Sequence, residues 1–290
     1  MISKARLVAL LGALLPVACT PLTAFNRLVP KDEGVRLVAH DIAFGPHPRQ
    51  RIDLYAPLQS RRGPLPVIVF FYGGSWNSGT KSGYSFVGRA LAAQGFLVAI
   101  PDYRLVPEVR YPTFLEDNAA AVRWIRHHAI AYGGDGERII LAGHSAGAYA
   151  AAMLAVDPSL LGDDRRAVRG LIGLAGPYDF LPFTGPITRE AFRGTTELTA
   201  TQPVNHVARG APPAFLATGD QDVTVLPRNS DALAERLGAV GTAVVRKRYP
   251  RVGHVGLMTA IARPFRGQAT VLADMVSFAK SAVVVTETVR

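Results

Sequence analysis

Residues 138–155 read RIILAGHSAGAYAAAMLA, and this stretch decides the fold. Its apolar, β-branched start is typical of a buried strand, and its alanine-rich end is typical of a helix. Between them lies Gly-His-Ser-Ala-Gly, residues 143–147. The spacing G-x-S-x-G is that of a serine on a strained strand-to-helix turn with an exposed hydroxyl. The two glycines predict a close backbone approach, because a larger side chain would strike the neighbouring strand or helix.

The amino-terminal residues have the layout of a secretory signal. Lys4 and Arg6 precede an apolar run, 7–15, that is too short to span a bilayer. Residues 15–19, LPVAC, resemble a bacterial lipoprotein signal, although Pro16 stands where that pattern usually has leucine. We therefore expect a signal peptide over 1–18, lipidation of Cys19 as a membrane anchor, and an exported protein, either periplasmic or membrane-anchored. Ordinary signal cleavage and a buried free cysteine are the alternatives.

The composition of the 290-residue chain suits one large domain or two small ones. Its formal net charge is +10, with arginine-rich clusters at 61–62, 165–166 and 246–248. These clusters fall at predicted turns or on an alternating strand, and no nucleic-acid module is recognisable. We expect them to be solvated faces, with attraction to an anionic membrane as the second interpretation and no nucleic-acid partner. Residues 19–34 are expected to be a tether and 35–290 a single domain.

That domain alternates between predicted strands and helices. An antiparallel pair is followed by six further strands. The predicted strands are 35–44, 50–55, 67–71, 96–100, 139–142, 168–174, 214–218 and 243–249. Helical patterns cover 84–94, 113–131, 146–155, 228–237 and 269–279. Repeated βα units predict an α/β fold with a mostly parallel sheet covered by helices on both faces. Functional groups in such a fold belong at the carboxyl ends of the strands.

The strand 67–71 runs into a glycine-containing turn, residues 72–76, YGGSW. Glycines at such a turn let backbone amides face outward, towards a developing negative charge. We expect the amides of Gly74 and Ser75, together with that of Ala146 after the serine, to form an oxyanion hole.

Two further strand ends supply the groups that would activate Ser145. Strand 214–218 is followed by Asp220 and Asp222, and only one carboxylate is needed to orient a histidine. Asp222 is the better candidate, since Asp220 suits the turn itself. His254 follows strand 243–249, so the chain order is serine, aspartate, histidine. His144 is a poor base for its neighbour, because adjacent residues on a sharp turn point apart, and no histidine and carboxylate spacing indicates a metal site.

Beyond GHSAG, residues 101–108, PDYRLVPE, and 114–134 resemble segments of one large superfamily. The chain from about Val35 onward resembles the α/β hydrolases, in particular carboxylesterases related to hormone-sensitive lipase and the feruloyl-esterase-like BD-FAE group. In those relatives the segment at Tyr103 and Arg104 is mainly structural. The main departure is Tyr72, which stands where the family's HGG motif has histidine, and we expect it to affect loop geometry and substrate preference more than the chemistry.

The resemblance implies a serine carboxylesterase without a cofactor, acting on a small ester. Ser145 would be acylated, His254 would be the general base, and Asp222 would orient the imidazole. We expect Tyr72, Trp76 and His144 to contact substrate.

The cap is expected to be short, over 176–212, with Phe180, Phe183 and Phe192 as either acyl-pocket walls or core. A short cap predicts an open cleft and short acyl chains. An amide-directed hydrolase such as an arylformamidase and an inactive surface-anchored binding protein are the alternatives, and the oligomeric state is not predicted.

Overall fold

The computed structural model of the protein describes residues 21–59 and 63–284. Its strands are β1 Val35–Ala43, β2 Arg51–Pro57, β3 Leu65–Phe71, β4 Leu97–Pro101, β5 Gly134–His144, β6 Val168–Leu174, β7 Ala214–Gly219 and β8 Val244–Tyr249. Its α-helices are α1 Pro21–Leu28, α2 Ser85–Ala92, α3 Thr113–His128, α4 Ala146–Val156, α5 Pro158–Leu161, α6 Pro186–Ala191, α7 Arg228–Ala239, α8 His254–Thr259 and α9 Val271–Val284. Short 3-10 helices lie at Lys81–Tyr84, Ala129–Tyr132, Gly162–Ala167, Leu198–Thr201, Pro203–Asn205 and Arg263–Phe265.

The strands form an eight-stranded sheet in the order β1-β2-β4-β3-β5-β6-β7-β8. Strand β2 is antiparallel to β1 and β4, and the other neighbouring pairs are parallel. The predicted mostly parallel sheet is therefore confirmed. In the centre, Phe71 at the end of β3 lies opposite Gly143 of β5, so the two loops that follow these strands begin side by side.

Helices cover both faces of the sheet, as the sequence predicts. Along β3, Val67, Val69 and Phe71 pack in one core cluster with residues of α3, α4 and α7. The alternate residues Ile68 and Phe70 pack in a second cluster with residues of α2 and α9. Because side chains alternate along a strand, an all-apolar run such as LPVIVFF needs an apolar layer on each side.

The described part of the segment expected to be a tether contains helix α1, which packs on the domain. The ring of Phe25 lies 5.4 Å from that of Phe86 and 5.7 Å from that of Phe265, measured between centroids. The buried Asn26 side chain donates from its amide nitrogen to the Ser82 carbonyl at 2.7 Å. Its oxygen accepts from the Phe86 amide at 3.1 Å, which caps α2 from outside that helix.

The predicted signal peptide and Cys19 lie outside the described residues. Among the residues that are described, no helix has both the length and the apolar composition to cross a membrane.

The cap over 176–212 is irregular but firmly held. It contains α6 and two of the 3-10 helices, and side chains of the main domain bind its backbone. The Asn229 side-chain oxygen accepts from the amides of Tyr178 and Asp179, each at 3.0 Å, and the Tyr149 hydroxyl donates to the Thr201 carbonyl at 2.9 Å. The cap therefore presents a fixed surface to the carboxyl ends of the strands.

Candidate active site

Ser145 occupies the sharp turn between β5 and α4. Its φ is 54°, a left-handed conformation that non-glycine residues seldom adopt and that indicates local strain. A Cβ atom on Gly143 would lie 2.3 Å from the Gly147 carbonyl oxygen, and one on Gly147 would lie 2.0 Å from the Phe71 carbonyl oxygen. The predicted steric need for both glycines is thus confirmed.

His254 and Asp222 lie together at the ends of β8 and β7. The distance from His254 Nδ1 to Asp222 Oδ2 is 2.8 Å. The other carboxylate oxygen of Asp222 accepts from the amides of Thr224 at 2.9 Å and Val225 at 2.8 Å. Burial alone would raise the pKa of Asp222, but the hydrogen bonds from His254 and from these amides outweigh it, so the pKa lies below its ordinary value. Asp222 is therefore a charged acceptor, so His254 Nδ1 carries the hydrogen of this contact.

Backbone contacts between the two loops fix this pair. The amide of Asp220 donates to the Tyr249 carbonyl and that of Gln221 to the Val252 carbonyl, each at 3.0 Å. The Asp220 side chain is exposed, whereas Asp222 is 2% exposed. The structure thus brings Asp222, and not Asp220, to the histidine.

The loop after β3 turns its amides away from the sheet. Gly74 has a φ of 136° and Ser75 a φ of 49°. The Gly74 carbonyl accepts from the amides of Asn77 and Ser78, each at 3.0 Å, which closes the turn. Within the described ranges the amides of Gly74, Ser75 and Ala146 donate to no protein acceptor, and the Ala146 amide is the first of α4. Gly74, Ser75 and Ser145 line one cavity, so these donors are available beside the serine.

Tyr72 does not contact the cavities beside Ser145, which corrects its expected role as a substrate-binding residue. Its side chain is 0% exposed and stacks on Tyr103 with 4.7 Å between ring centroids. The Tyr72 hydroxyl accepts from Arg49 at 3.0 Å, and the Tyr72 carbonyl accepts from the Tyr103 hydroxyl at 2.9 Å. Tyr72 supports the loop from below, because its position follows directly on buried β3.

The segment PDYRLVPE is also structural, as its resemblance implies. The Arg104 guanidinium binds Asp117 of α3, with 2.7 Å between Nη2 and Oδ1, and Asp117 is 1% exposed.

His144 packs against the candidate base instead of against Ser145. Its Nε2 lies 3.2 Å from the His254 carbonyl oxygen, and the two imidazole centroids are 4.7 Å apart. Burial, followed by repulsion from His254, lowers the pKa of His144 to about 3 from an ordinary 6.5. The ring is therefore neutral at neutral pH, and Nε2 must carry the hydrogen that it donates to the carbonyl. Its Nδ1 is buried with no partner among the described residues.

Two clefts meet at Ser145. The apolar cleft has a volume of about 440 Å³ and contains His254 in its wall. The remaining wall of the apolar cleft is formed by Leu22, Phe25, Gly73, Gly74, Ser75, Ser78, Gly79, Tyr84, His144, Ser145, Thr224, Val255, Met258 and Thr259. The cap cleft has a volume of about 350 Å³ and lies beneath the cap. It is lined by Ser75, Trp76, Ser145, Ala146, Pro177, Phe180, Pro182, Thr184, Thr188, Val223, Thr224, Val225, Leu226, Arg228 and Asn229.

The aromatic candidates divide between cleft and core. Trp76 lines the cap cleft with 4% of its surface exposed, and its ring lies 6.1 Å from that of Phe180, which lines the same cleft. Phe192 is 1% exposed and belongs to the core, and Phe183 packs against that core without lining either cleft. Across residues 21–59 and 63–284, no three His, Cys, Asp or Glu side chains lie together as metal ligands.

Sequence reasoning missed the wall that α1 contributes. Leu22, Phe25, Asn26 and Val29 follow the spacing i, i+3, i+4, i+7 of one helix face, so the signal was present in the sequence. This helical pattern is weak, because the helix has only eight residues.

The chain is similar to known proteins in sequence and in fold. The BD-FAE family model matches residues 52–237. Carboxylesterase NlhH of Mycobacterium tuberculosis is 31% identical over 72% of this chain and 72% of its own length. The probable isoprenylcysteine alpha-carbonyl methylesterase ICMEL1 of Arabidopsis thaliana is 30% identical over 79% of this chain and 53% of its own. The crystal structure of esterase B from Lactobacillus rhamnosis superposes with a TM-score of 0.78, at 20% identity, over 92% of this chain and 91% of that one.

These matches differ in how much of each relative they cover. The chain spans 53% of the Arabidopsis methylesterase and 58% of esterase LipC of Mycobacterium tuberculosis, so about half of each of these relatives has no counterpart in the match. The likeness to esterase B, at 20% identity, shows the α/β hydrolase fold.

Proposed function

Because the chain belongs to the BD-FAE family and has the α/β hydrolase fold, we propose that it is a serine carboxylesterase that hydrolyses short-chain esters through an acyl-enzyme. The observation that carries the proposal is the 2.8 Å contact between Asp222 and His254, because His254 stands with Ser145 in the wall of one cleft. Serine, imidazole and carboxylate in this arrangement supply a nucleophile, a base and its orienting group.

In the proposed reaction, His254 removes the proton of Ser145 as the hydroxyl attacks the ester carbonyl. The amides of Gly74, Ser75 and Ala146 donate to the oxyanion, and preorganised donors of this kind stabilise it without reorganisation. His254 then returns the proton to the leaving alcohol, and a water molecule attacks the acyl-enzyme by the same route. Asp222 holds Nδ1–H of His254 throughout, so Nε2 faces the reacting groups.

The preference for short acyl chains is supported by the cap cleft. Polar side chains of Thr184, Thr188 and Arg228 stand among its walls, and a long alkyl chain would cover them without offering hydrogen bonds. We further propose, from the sequence alone, that the protein is exported and is anchored in a membrane by a lipid on Cys19. Metabolic labelling with palmitate in a bacterial host tests the anchor, with Cys19→Ser as the control that must remain unlabelled.

The esterase proposal is tested with p-nitrophenyl esters from acetate to palmitate. We expect the highest kcat/KM on the short chains, a loss of 10⁴-fold or more in Ser145→Ala, on the order seen for other serine hydrolases, and labelling of Ser145 by a fluorophosphonate. Labelling without ester hydrolysis would instead favour the amide-directed alternative. The absence of both labelling and hydrolysis would favour a binding protein.

A further inference from the structure

We propose that the leaving alcohol of the substrate occupies the apolar cleft and that the acyl group occupies the cap cleft, so that the substrates are esters of compact acids with apolar alcohols. This inference rests on the proposed serine mechanism and adds to it the direction in which the ester lies.

The first argument is the position of the proton donor. The general acid must lie within about 2.6–3.2 Å of the leaving oxygen. Among the described residues His254 lines the apolar cleft and not the cap cleft, whereas Ser145 and Ser75 line both. An alcohol whose oxygen receives the proton of His254 therefore has its carbon chain at the entrance of the apolar cleft.

The second argument is what remains for the acyl group. The acyl carbon is bonded to Ser145 Oγ, and its oxyanion faces the amides of Gly74, Ser75 and Ala146. Of the two clefts, Ala146 lines only the cap cleft. With the leaving oxygen directed to His254, the acyl chain has the cap cleft as its open route.

The third argument is the chemical contrast between the two clefts. Beyond the reacting groups, the apolar cleft is walled by Leu22, Phe25, Tyr84, Val255 and Met258 and has no Asp, Glu, Lys or Arg in the described wall. Each methylene buried there would strengthen binding roughly fourfold. The cap cleft has threonines, Asn229 and Arg228 in its wall, which suit a short or polar acyl group.

The apolar cleft is also preformed, because α1 is fixed in place. The Asn26 side chain binds the Ser82 carbonyl and the Phe86 amide. Asn26 directly follows the cleft residue Phe25 in α1. Asp32 follows α1 and pairs with Arg266 at 2.7 Å. A preformed apolar cleft binds an alkyl chain without first having to order its own wall.

Two isomeric esters test the direction. Hexyl acetate and ethyl hexanoate have the same atoms and similar hydrophobicity, but they carry the long chain on opposite sides of the ester bond. With the full chain and a pH-stat assay, we expect kcat/KM for hexyl acetate to exceed that for ethyl hexanoate at least tenfold. Ser145→Ala must abolish both activities.

A matched pair of variants connects this ratio to the apolar cleft. Leu22→Asn makes one wall of the cleft polar and is expected to lower the hexyl acetate to ethyl hexanoate ratio at least threefold. Leu28→Asn makes the same exchange on the same helix at a side chain that is 85% exposed and lines neither cleft, so the ratio is expected to stay within twofold of the original.

Equal rates on the two isomers, or a preference for ethyl hexanoate, overturn the inference while the serine mechanism stands. An unchanged ratio in Leu22→Asn also overturns it. If neither isomer is hydrolysed and a fluorophosphonate does not label Ser145, the proposed function fails, and the inference fails with it.

Discussion

Replacing His144 with leucine is expected to slow ester hydrolysis while leaving the folded protein nearly as stable at pH 7. The His144 ring donates from Nε2 to the carbonyl of His254, the proposed general base, at 3.2 Å. Leucine has no donor, so this carbonyl loses its contact and the start of α8 loses a constraint on its position. The other ring nitrogen, Nδ1, has no partner among the described residues, and leucine removes that unpaired group as well.

The magnitudes follow from these two changes. A buried polar group without a partner costs about 1–3 kcal/mol. The leucine variant removes one such group at Nδ1 and loses one neutral hydrogen bond to the His254 carbonyl, which also accepts within α8 as the first residue of that helix, so the net change in the free energy of unfolding at pH 7 is small. If the loss of positioning raises the barrier by the same 1–3 kcal/mol, kcat falls roughly 5- to 150-fold, since 1.4 kcal/mol is a factor of ten. KM should change less than kcat, because the Nε2 atom that is lost is engaged by the His254 carbonyl.

The pH dependence of stability gives a second readout. The pKa of His144 is about 3 in the folded protein and 6.5 as an ordinary value, so below pH 6.5 the unfolded chain binds a proton that the folded chain does not. The free energy of unfolding therefore has its full value above pH 6.5. It falls by about 1.4 kcal/mol for each pH unit below that, until the pKa of the folded protein is reached. The leucine variant should lack this loss and be the more stable protein at pH 5.

The assays are kcat and KM on p-nitrophenyl acetate, and urea unfolding at pH 7 and pH 5. His144→Gln is the control, because its amide retains a donor that can reach the His254 carbonyl, and it should recover at least part of the lost kcat. A leucine variant that is folded and turns over within twofold of the original would refute the positioning role. An unfolding free energy that falls equally with pH in both proteins would refute the assignment of the acid sensitivity to His144.

Three further changes have defined outcomes. In Asp222→Asn, the amide oxygen should keep the contacts to Thr224 and Val225, so the NH₂ group faces His254 Nδ1 and imposes the wrong tautomer. We expect kcat to fall on the order of 10³- to 10⁴-fold while the thermal unfolding temperature shifts little. Activity within tenfold of the original would contradict the triad. Asn26→Leu leaves the Phe86 amide unpaired and removes one of two donors from the Ser82 carbonyl, so differential scanning calorimetry should show a loss of about 2–4 kcal/mol, or roughly 5–15 °C in Tm; an unchanged Tm would mean that α1 is not held by this side chain. Gly143→Ala puts a methyl group 2.3 Å from backbone of α4 and should cost about 3 kcal/mol, whereas the control Gly238→Ala, with no atom within 4 Å, should not destabilise; equal unfolding midpoints in urea would be the contrary result.

The sheet and the serine turn could be predicted because short-range pattern determines them. Continuous apolar runs of five to seven residues need a covered sheet, and the G-x-S-x-G turn needs glycines at both outer positions for steric reasons that do not depend on distant residues. The order of strand ends then brings Asp222 and His254 to the same edge. Their 2.8 Å contact agrees with that expectation, and the roles assigned to them stay predictions.

The side chains around the serine could not be predicted to the same extent, because their direction depends on long-range packing. The Tyr72 side chain follows the alternating pattern of β3 and lies in the same core cluster as Phe70. It stacks on Tyr103, a residue of another loop. His144 meets the His254 backbone, which is 110 positions away in sequence. Neither YGGSW nor GHSAG contains a local pattern that predicts these partners.

The helix α1 has a consequence for how such an enzyme could change its specificity. It forms a wall of the apolar cleft, yet it is not hydrogen-bonded into the sheet and supplies none of the proposed reacting groups. Substitutions in these few residues can therefore reshape the site with little cost to the nucleophile turn or to the central strands. A lineage could explore new alcohols through helix α1 while the inherited chemistry is conserved, and exchange of this one helix between relatives offers the same freedom to protein engineers.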